Sequence, residues 1–202
     1  MNWVYLKDLK DHLNEEVLIK GWVYNFRSSG KIAFLQVRDG SDFAQCVVAE
    51  EKVSPESWKG ASEMSLESSV ELTGTVAKHP KLDLYEIQVT GLKFVQKSEE
   101  YPIGKKEHGD DFLLTNRHLW LRSPKQWAIQ RVRNTVINAT FEFLNREGFI
   151  KIDSPILTPN ACEGTTELFE MEYFDLGKAY LTQSGQLYIE AAIMSLGKVF
   201  DF

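Results

Sequence analysis

The sequence predicts an all-β barrel followed by an α+β domain. Three observations support this: five short segments rich in β-branched and aromatic residues fill the first half, a polar stretch follows them, and helical periodicity begins only after that stretch. The expected strands are residues 17–26, 32–38, 43–48, 70–76 and 84–95, divided by turn chemistry such as Ser28-Ser29-Gly30 and Asp39-Gly40. Between the third and fourth lies one helix signal. Ser54 supplies a capping hydroxyl and Pro55 a first-turn proline ahead of Trp58, Ala61 and Met64. Three strands, a helix and two strands is the order of an OB-fold barrel.

Residues 96–111 are polar, with little to bury, and suggest an interdomain hinge. The expected division is a barrel over residues 1–98, a hinge over 99–115 and a second domain over 116–202. In that second domain Ser123-Pro124 opens a long helix, with Ile129, Val132, Val136, Phe143 and Leu144 recurring at three- and four-residue spacing until Gly148 stops it. A strand over 149–152 ends before Pro155, another covers 180–182, and a last helix runs from about Gly185 to Leu196. Helices and strands mixed without βαβ repetition give α+β.

At 202 residues and 43% hydrophobic content the chain can bury a sizeable core. Lys7 and Asp8 put charges too early for a signal peptide, and no apolar run approaches membrane-spanning length, so a cytoplasmic protein without a membrane partner is expected. Cys46 and Cys162 lie far apart without CxxC spacing or neighbouring histidines; free thiols are expected, and neither a disulfide framework nor a metal site. A formal net charge of −6 argues against coating nucleic acid nonspecifically. Residues 17–38, however, hold Lys20, Arg27, Lys31 and Arg38 and no acid, a basic stripe suited to a directed contact.

Alternation along the second strand sorts Ala33, Leu35 and Val37 to one face and Ile32, Phe34, Gln36 and Arg38 to the other. Phe34 thus sits among polar and cationic side chains, near Arg27 and near Gln45 of the next strand. An aromatic beside Arg and Gln on an OB barrel is suited to stacking an unpaired base, while the amide and guanidinium read its edge. The alternative is that Phe34 covers the open side of the barrel. Ser29-Gly30-Lys31 is not a phosphate loop, because position 25 is Asn and position 32 is Ile where the motif needs Gly and a hydroxyl.

In the second half, Glu163-Gly164-Thr165-Thr166 offers a carboxylate in a segment without periodicity, either a substrate-closing loop or a solvated acidic one. Gln183, Ser184 and Gln186 bring two amides and a hydroxyl to a strand-to-helix turn, where Ser184 is equally suited to capping the helix. Glu190 is the lone charge in an apolar helix and lies four residues after Gln186, on the same face. Such a carboxylate lies at a solvent edge or is paired within a site.

These segments together resemble the bacterial asparagine–tRNA ligases, class IIb aminoacyl-tRNA synthetases, along essentially the whole chain. Arg27 to Gly40 is similar to the family's anticodon-barrel signature, and Gly148 to Leu157 to class II motif 1, with Pro155 as its proline. Glu163 to Phe169 and Gln183 to Tyr188 are similar to the substrate loop and amino-acid site. The resemblance implies an OB-fold barrel followed by the start of a class II catalytic domain, an antiparallel sheet with the motif 1 helix. It implies that Phe34 stacks on the central anticodon uridine of tRNA(Asn), contacted by Arg27 and Gln45. It further implies that Glu163 and Gln186 hold the ammonium of L-asparagine, with Gln183 and Ser184 in the same site, and that motif 1, with Pro155, forms a homodimer interface.

The related aspartate enzymes carry a lysine three residues after the second Gln of Gln-Ser-Pro-Gln; here that position is Ile189, and Glu190 is left to accept from an asparagine amide. The family reaction activates the amino acid with ATP and Mg2+ before acyl transfer to tRNA. The arginines of motifs 2 and 3 are not found up to Phe202, so no catalytic residue is assigned and this chain alone is expected to be inactive and to bind ATP poorly. Two other readings are a noncatalytic RNA-binding module and an asparagine-synthesising relative on the same fold.

Overall fold

The computed structural model describes residues 3–104, 106–160 and 167–202. They divide into two compact units, Met1–Gly109 and Asp110–Phe202.

The first unit is a closed barrel of five strands, β1 (Glu16–Ser29), β2 (Ile32–Arg38), β3 (Phe43–Ala49), β4 (Ser69–Lys78) and β5 (Tyr85–Gln96), paired in the order β1-β2-β3-β5-β4. β3 and β5 run parallel and the other pairs antiparallel. All five expected strands are present. Burial in β2 alternates as the sequence predicts, and Ala33, Leu35 and Val37 are fully enclosed. They meet Val17, Ile19, Val23, Cys46, Val48, Leu72, Ile87 and Val89 in one continuous core. Gly21 sits where β1 passes from pairing with β4 to pairing with β2, and a Cβ there would collide with Val37 and the Arg38 backbone.

The helix α1 (Pro55–Ser62) follows β3, and Ser54 Oγ accepts from the Ser57 backbone N–H at 3.1 Å. Ala61 is fully buried and Trp58 packs against the core. Ser57 Oγ donates to the Leu92 carbonyl at 3.1 Å, tying the helix to β5. A 3₁₀ segment, Leu6–His12, adds Leu6 and Leu9 to the core; the sequence reading did not anticipate it.

The second unit contains α2 (Asp110–Thr115), α3 (Arg117–Trp120), α4 (Pro124–Arg146), β6 (Ile150–Lys151), β7 (Leu157–Thr158), β8 (Glu170–Glu172), β9 (Lys178–Leu181), α5 (Gln186–Leu196) and β10 (Val199–Phe200). Part of the segment expected as a hinge, residues 110–115, is therefore helical. β7, β9 and β8 form an antiparallel sheet, whereas β6 pairs in parallel with β10. The long helix begins at Pro124 as expected, and Gly148 follows it at φ 82°, a left-handed conformation that glycine adopts without strain.

The apolar stripe of α4 is only partly used. Phe141 packs edge-on against Phe200 and Phe202, at 5.4 and 5.5 Å between ring centroids. Val132, Val136 and Phe143 from the expected core face remain 62%, 57% and 52% exposed; the Arg146 guanidinium lies over the Phe143 ring, 5.7 Å from its centroid.

Leu35→Ala removes a side chain with no exposed surface in the middle of the barrel. We expect it to lower the opening free energy of β2 and β3 amides by roughly 2–5 kcal/mol in hydrogen exchange; a loss under about 1 kcal/mol would show that β2 does not organise the core.

Candidate nucleic-acid interface and amino-acid site

The pleat that buries Leu35 turns its neighbours outward. Phe34 lies opposite Arg27 on β1 and Val47 on β3. The Arg27 guanidinium sits over the Phe34 ring, 4.6 Å from its centroid, a cation–π contact at a wet surface. Gln36 and Gln45 face each other across β2 and β3, and the Asn25 amide donates to Gln36 Oε1 at 3.2 Å. Arg27, Phe34 and Gln45 therefore share one face, the juxtaposition the sequence suggested.

The sequence reading missed a carboxylate beside them. Glu86 on β5 lies opposite Gln45, is 6% exposed, and accepts from Gln45 Nε2 at 3.0 Å and from Gln88 Nε2 at 2.9 Å. Its sequence neighbour Ile87 is buried too, so β5 breaks the alternation that would have exposed the pattern. Beneath this row, burial first and the nearby Glu86 second push the Cys46 thiol far up, leaving a neutral, enclosed thiol.

The basic stripe is more neutralised than its composition implies. Lys20 pairs with Glu71 at 3.3 Å, Lys31 with Glu50 at 3.9 Å, and Arg38 with the buried carboxylate of Glu67. Arg38 also lies over Trp22, 5.0 Å from the ring centroid. Among the described residues, Arg27 is the member of the stripe whose partner is an aromatic ring and not a carboxylate.

In the second unit, Gln183 and Ser184 lie in the turn between β9 and α5 and line a small depression with Thr158, Asn160, Thr182 and Tyr188. Thr158 and Asn160 carried no sequence signal of their own, whereas Tyr188 closes the Gln183 to Tyr188 segment singled out above. Ser184 Oγ accepts from the Gln186 N–H at 3.1 Å and so braces the turn, while Gly185, not Ser184, is the N-cap of α5. Gly185 belongs there because a Cβ would strike Ser154 and Asp201. Gln186 and Glu190 stand one helical turn apart, and the Gln186 amide donates to Glu190 Oε1 at 3.1 Å. Both side chains are exposed and neither lines the depression.

Glu163 lies outside the described residues, as does Cys162. Pro155 is exposed and follows β6 by four residues. Among the described residues, no group of three or more His, Cys, Asp or Glu side chains is placed to hold a metal ion. No described helix is long and apolar enough to cross a membrane.

Comparison with known proteins gives the same division. Residues 17–95 match the OB-fold nucleic acid binding domain family, and residues 109–202 match the tRNA synthetases class II (D, K and N). Asparaginyl-tRNA synthetase from Pyrococcus horikoshii, in a structure complexed with asparaginyl-adenylate, is 37% identical with a TM-score of 0.91 over 98% of this chain and 46% of its own. Asparaginyl-tRNA synthetase from Entamoeba histolytica, also complexed with asparaginyl-adenylate, is 30% identical with a TM-score of 0.82 over 100% of this chain and 47% of its own. A putative aspartyl-tRNA synthetase from Leishmania major Friedlin is 27% identical, with a TM-score of 0.83 over 100% of this chain and 42% of its own. The chain thus spans less than half the length of each of these structures. With an OB-fold barrel followed by a partial class II synthetase domain, it belongs to the class II tRNA synthetases of the D, K and N group.

Proposed function

We propose that the chain is the barrel and amino-acid-binding part of an asparagine–tRNA ligase. Its barrel grips the anticodon loop of tRNA(Asn), and its second unit contributes side chains to an L-asparagine site. The observation that carries this is the Arg27–Phe34 stack beside Gln45, on the outer face of a barrel of the nucleic-acid-binding type. A base stacking on Phe34 takes the place now held by the guanidinium. Arg27 then moves from the ring face to the base edge or phosphate, exchanging one cation–π contact for a charge-assisted hydrogen bond.

Asparagine over aspartate is supported by Ile189 and by the Gln186–Glu190 pair. Glu190 can accept from a carboxamide N–H, whereas an aspartate carboxylate would face it with like charge and no nearby lysine. The Gln186 amide now occupying Glu190 would turn to the substrate. In the complete enzyme this site would serve activation of asparagine by ATP, consistent with the asparaginyl-adenylate in the Pyrococcus structure. A homodimer through the segment around Pro155 and a cytoplasmic location belong to the same reading.

Three outcomes test it. Phe34→Ala in the full chain should weaken binding of an RNA hairpin with an unpaired loop by roughly 5- to 150-fold, one stacked base, at fixed ionic strength; equal binding in fluorescence anisotropy removes the stacking platform. The 202 residues alone should give no asparagine-dependent exchange of pyrophosphate into ATP, and exchange above background would overturn that expectation. In a longer chain that does activate asparagine, Glu190→Gln should erode the preference for asparagine over aspartate by about tenfold or more, read as the ratio of kcat/KM values. An unchanged ratio would remove Glu190 from the amide-reading role.

A further inference from the structure

We propose that the loop between β4 and β5, residues 79–84, is a pH-sensitive catch, held in shape by the neutral ring of His79 and released when that ring takes up a proton. The base of the loop is closed by backbone, since the His79 N–H donates to the Leu84 carbonyl at 2.8 Å. Its tip is held differently. Pro80 has no N–H, so Lys81 and Leu82 carry the first donors of the turn, and both donate to one side-chain atom, His79 Nδ1, at 3.2 and 3.1 Å.

A backbone amide nitrogen can only donate, so Nδ1 must present a lone pair and the proton of the neutral ring must sit on Nε2. Protonation at Nδ1 sets a third N–H against the other two, and both bonds are lost in one step. Little else holds the tip. Leu82 and Leu84 are more than half exposed, so apolar burial does not replace the lost bonds. The ion pair of Lys78 with Asp83, at 3.0 Å, joins two largely exposed side chains and contributes little. The catch therefore holds while the ring is neutral and opens as pH falls through its titration.

The charged and titratable groups around the loop leave this direction unchanged. They are Lys78, Lys81 and Asp83 on the loop and its approach, Tyr85 and Glu86 at the start of β5, opposite Lys78 and Ala77, and His12 and Glu15 where the 3₁₀ segment reaches β4 through the Asn14 N–H and the Val76 carbonyl. The carboxylates among them have other partners: Asp83 takes Lys78, Glu86 takes Gln45 and Gln88, and Glu15 takes His12 at 2.8 Å. Among the described residues no carboxylate is bonded to the His79 ring, a contact that would have favoured its charged form. The loop leads straight into β5, whose second residue, Glu86, meets Gln45 on the barrel's reading face, so its order bears on that face whatever the barrel binds.

The test is NMR on the full chain between about pH 8 and about pH 5.5, a range that brackets the ordinary titration of histidine, with backbone order parameters for Lys81 and Leu82 and the His79 ring shift followed together. The order parameters should fall from about 0.8 or more to below about 0.6, with a midpoint that coincides with the titration of the His79 ring. In His79→Asn the side-chain oxygen accepts from the same amides but cannot titrate, so the tip should stay ordered at both ends of the range. His79→Ala should leave it loose throughout. Constant order parameters while the ring titrates overturn the proposal, and so does a pH step that survives in His79→Asn. A step that disappears in His12→Gln, with His79 in place, assigns the effect to His12 and overturns it as well. A His79 ring that stays neutral down to about pH 5.5 removes the switch from that range and has the same consequence.

Discussion

The reading face exists because one strand cannot slip. In β2, Ala33, Leu35 and Val37 have no exposed surface, so a shift of one residue would expel all three and bury Phe34, Gln36 and Arg38 in their place. The penalty is several buried apolar side chains lost and two polar ones enclosed, far more than any surface contact returns. Closure strengthens the lock. β2 is held on both sides, and the ring passes through β3, β5 and β4 back to β1 without a free edge. Phe34 is therefore presented outward at a fixed height between Arg27 and Val47 by a core it does not belong to.

The two units differ in how far they satisfy the same demand. The barrel encloses a continuous set of aliphatic side chains. Among the described residues of the second unit only Ala179 and Phe200 are buried apolar side chains, while Ile156, Phe169, Phe174 and Met194 remain largely exposed. Its strands are two to four residues long, and a short pair without a covered face has little to hold it. Local opening is accordingly cheaper there than in the barrel. The turn carrying Gln183 and Ser184 depends on hydrogen bonds between the Thr182 and Ser184 hydroxyls and the backbone, and on the close approach at Gly185, more than on packing.

What the sequence made legible follows from these differences. Period-two alternation is imposed by the barrel core, so all five strands and the face of Phe34 could be read from it, and the Ser54-Pro55 start signalled α1 because capping is local chemistry. Glu86 was not legible. Its role comes from a parallel pairing across forty-one positions, and it lies in a strand where two successive residues are buried. The stripe of α4 was read correctly as helix, but periodicity cannot say which apolar residues meet a partner. Phe141, outside the expected set, carries the contact with Phe200 and Phe202. In the second unit, the spacing of Gln186 and Glu190 placed them on one helix face, where they pair, whereas Thr158 and Asn160 reach the Gln183–Ser184 depression through tertiary placement that no local pattern encodes.

The electrostatics then decide what kind of recognition such a face can offer. A stripe of four cations in an otherwise acidic chain suggested phosphate attraction, yet Lys20, Lys31 and Arg38 already have carboxylate partners. Drawing Arg38 onto a phosphate would break its pairing with the buried carboxylate of Glu67, a cost that phosphate contact at a wet surface does not offset. Lys20 and Lys31 are exposed and can exchange partners, but each exchange replaces one screened pair by another and gains little. That leaves Arg27, whose present partner is the ring a base would take. Binding a base and freeing this cation are then a single event, since stacking on Phe34 displaces the guanidinium. Under the proposed function, recognition on this face would accordingly depend mainly on the aromatic surface and its neighbouring amides, both insensitive to salt, with net charge in a secondary role.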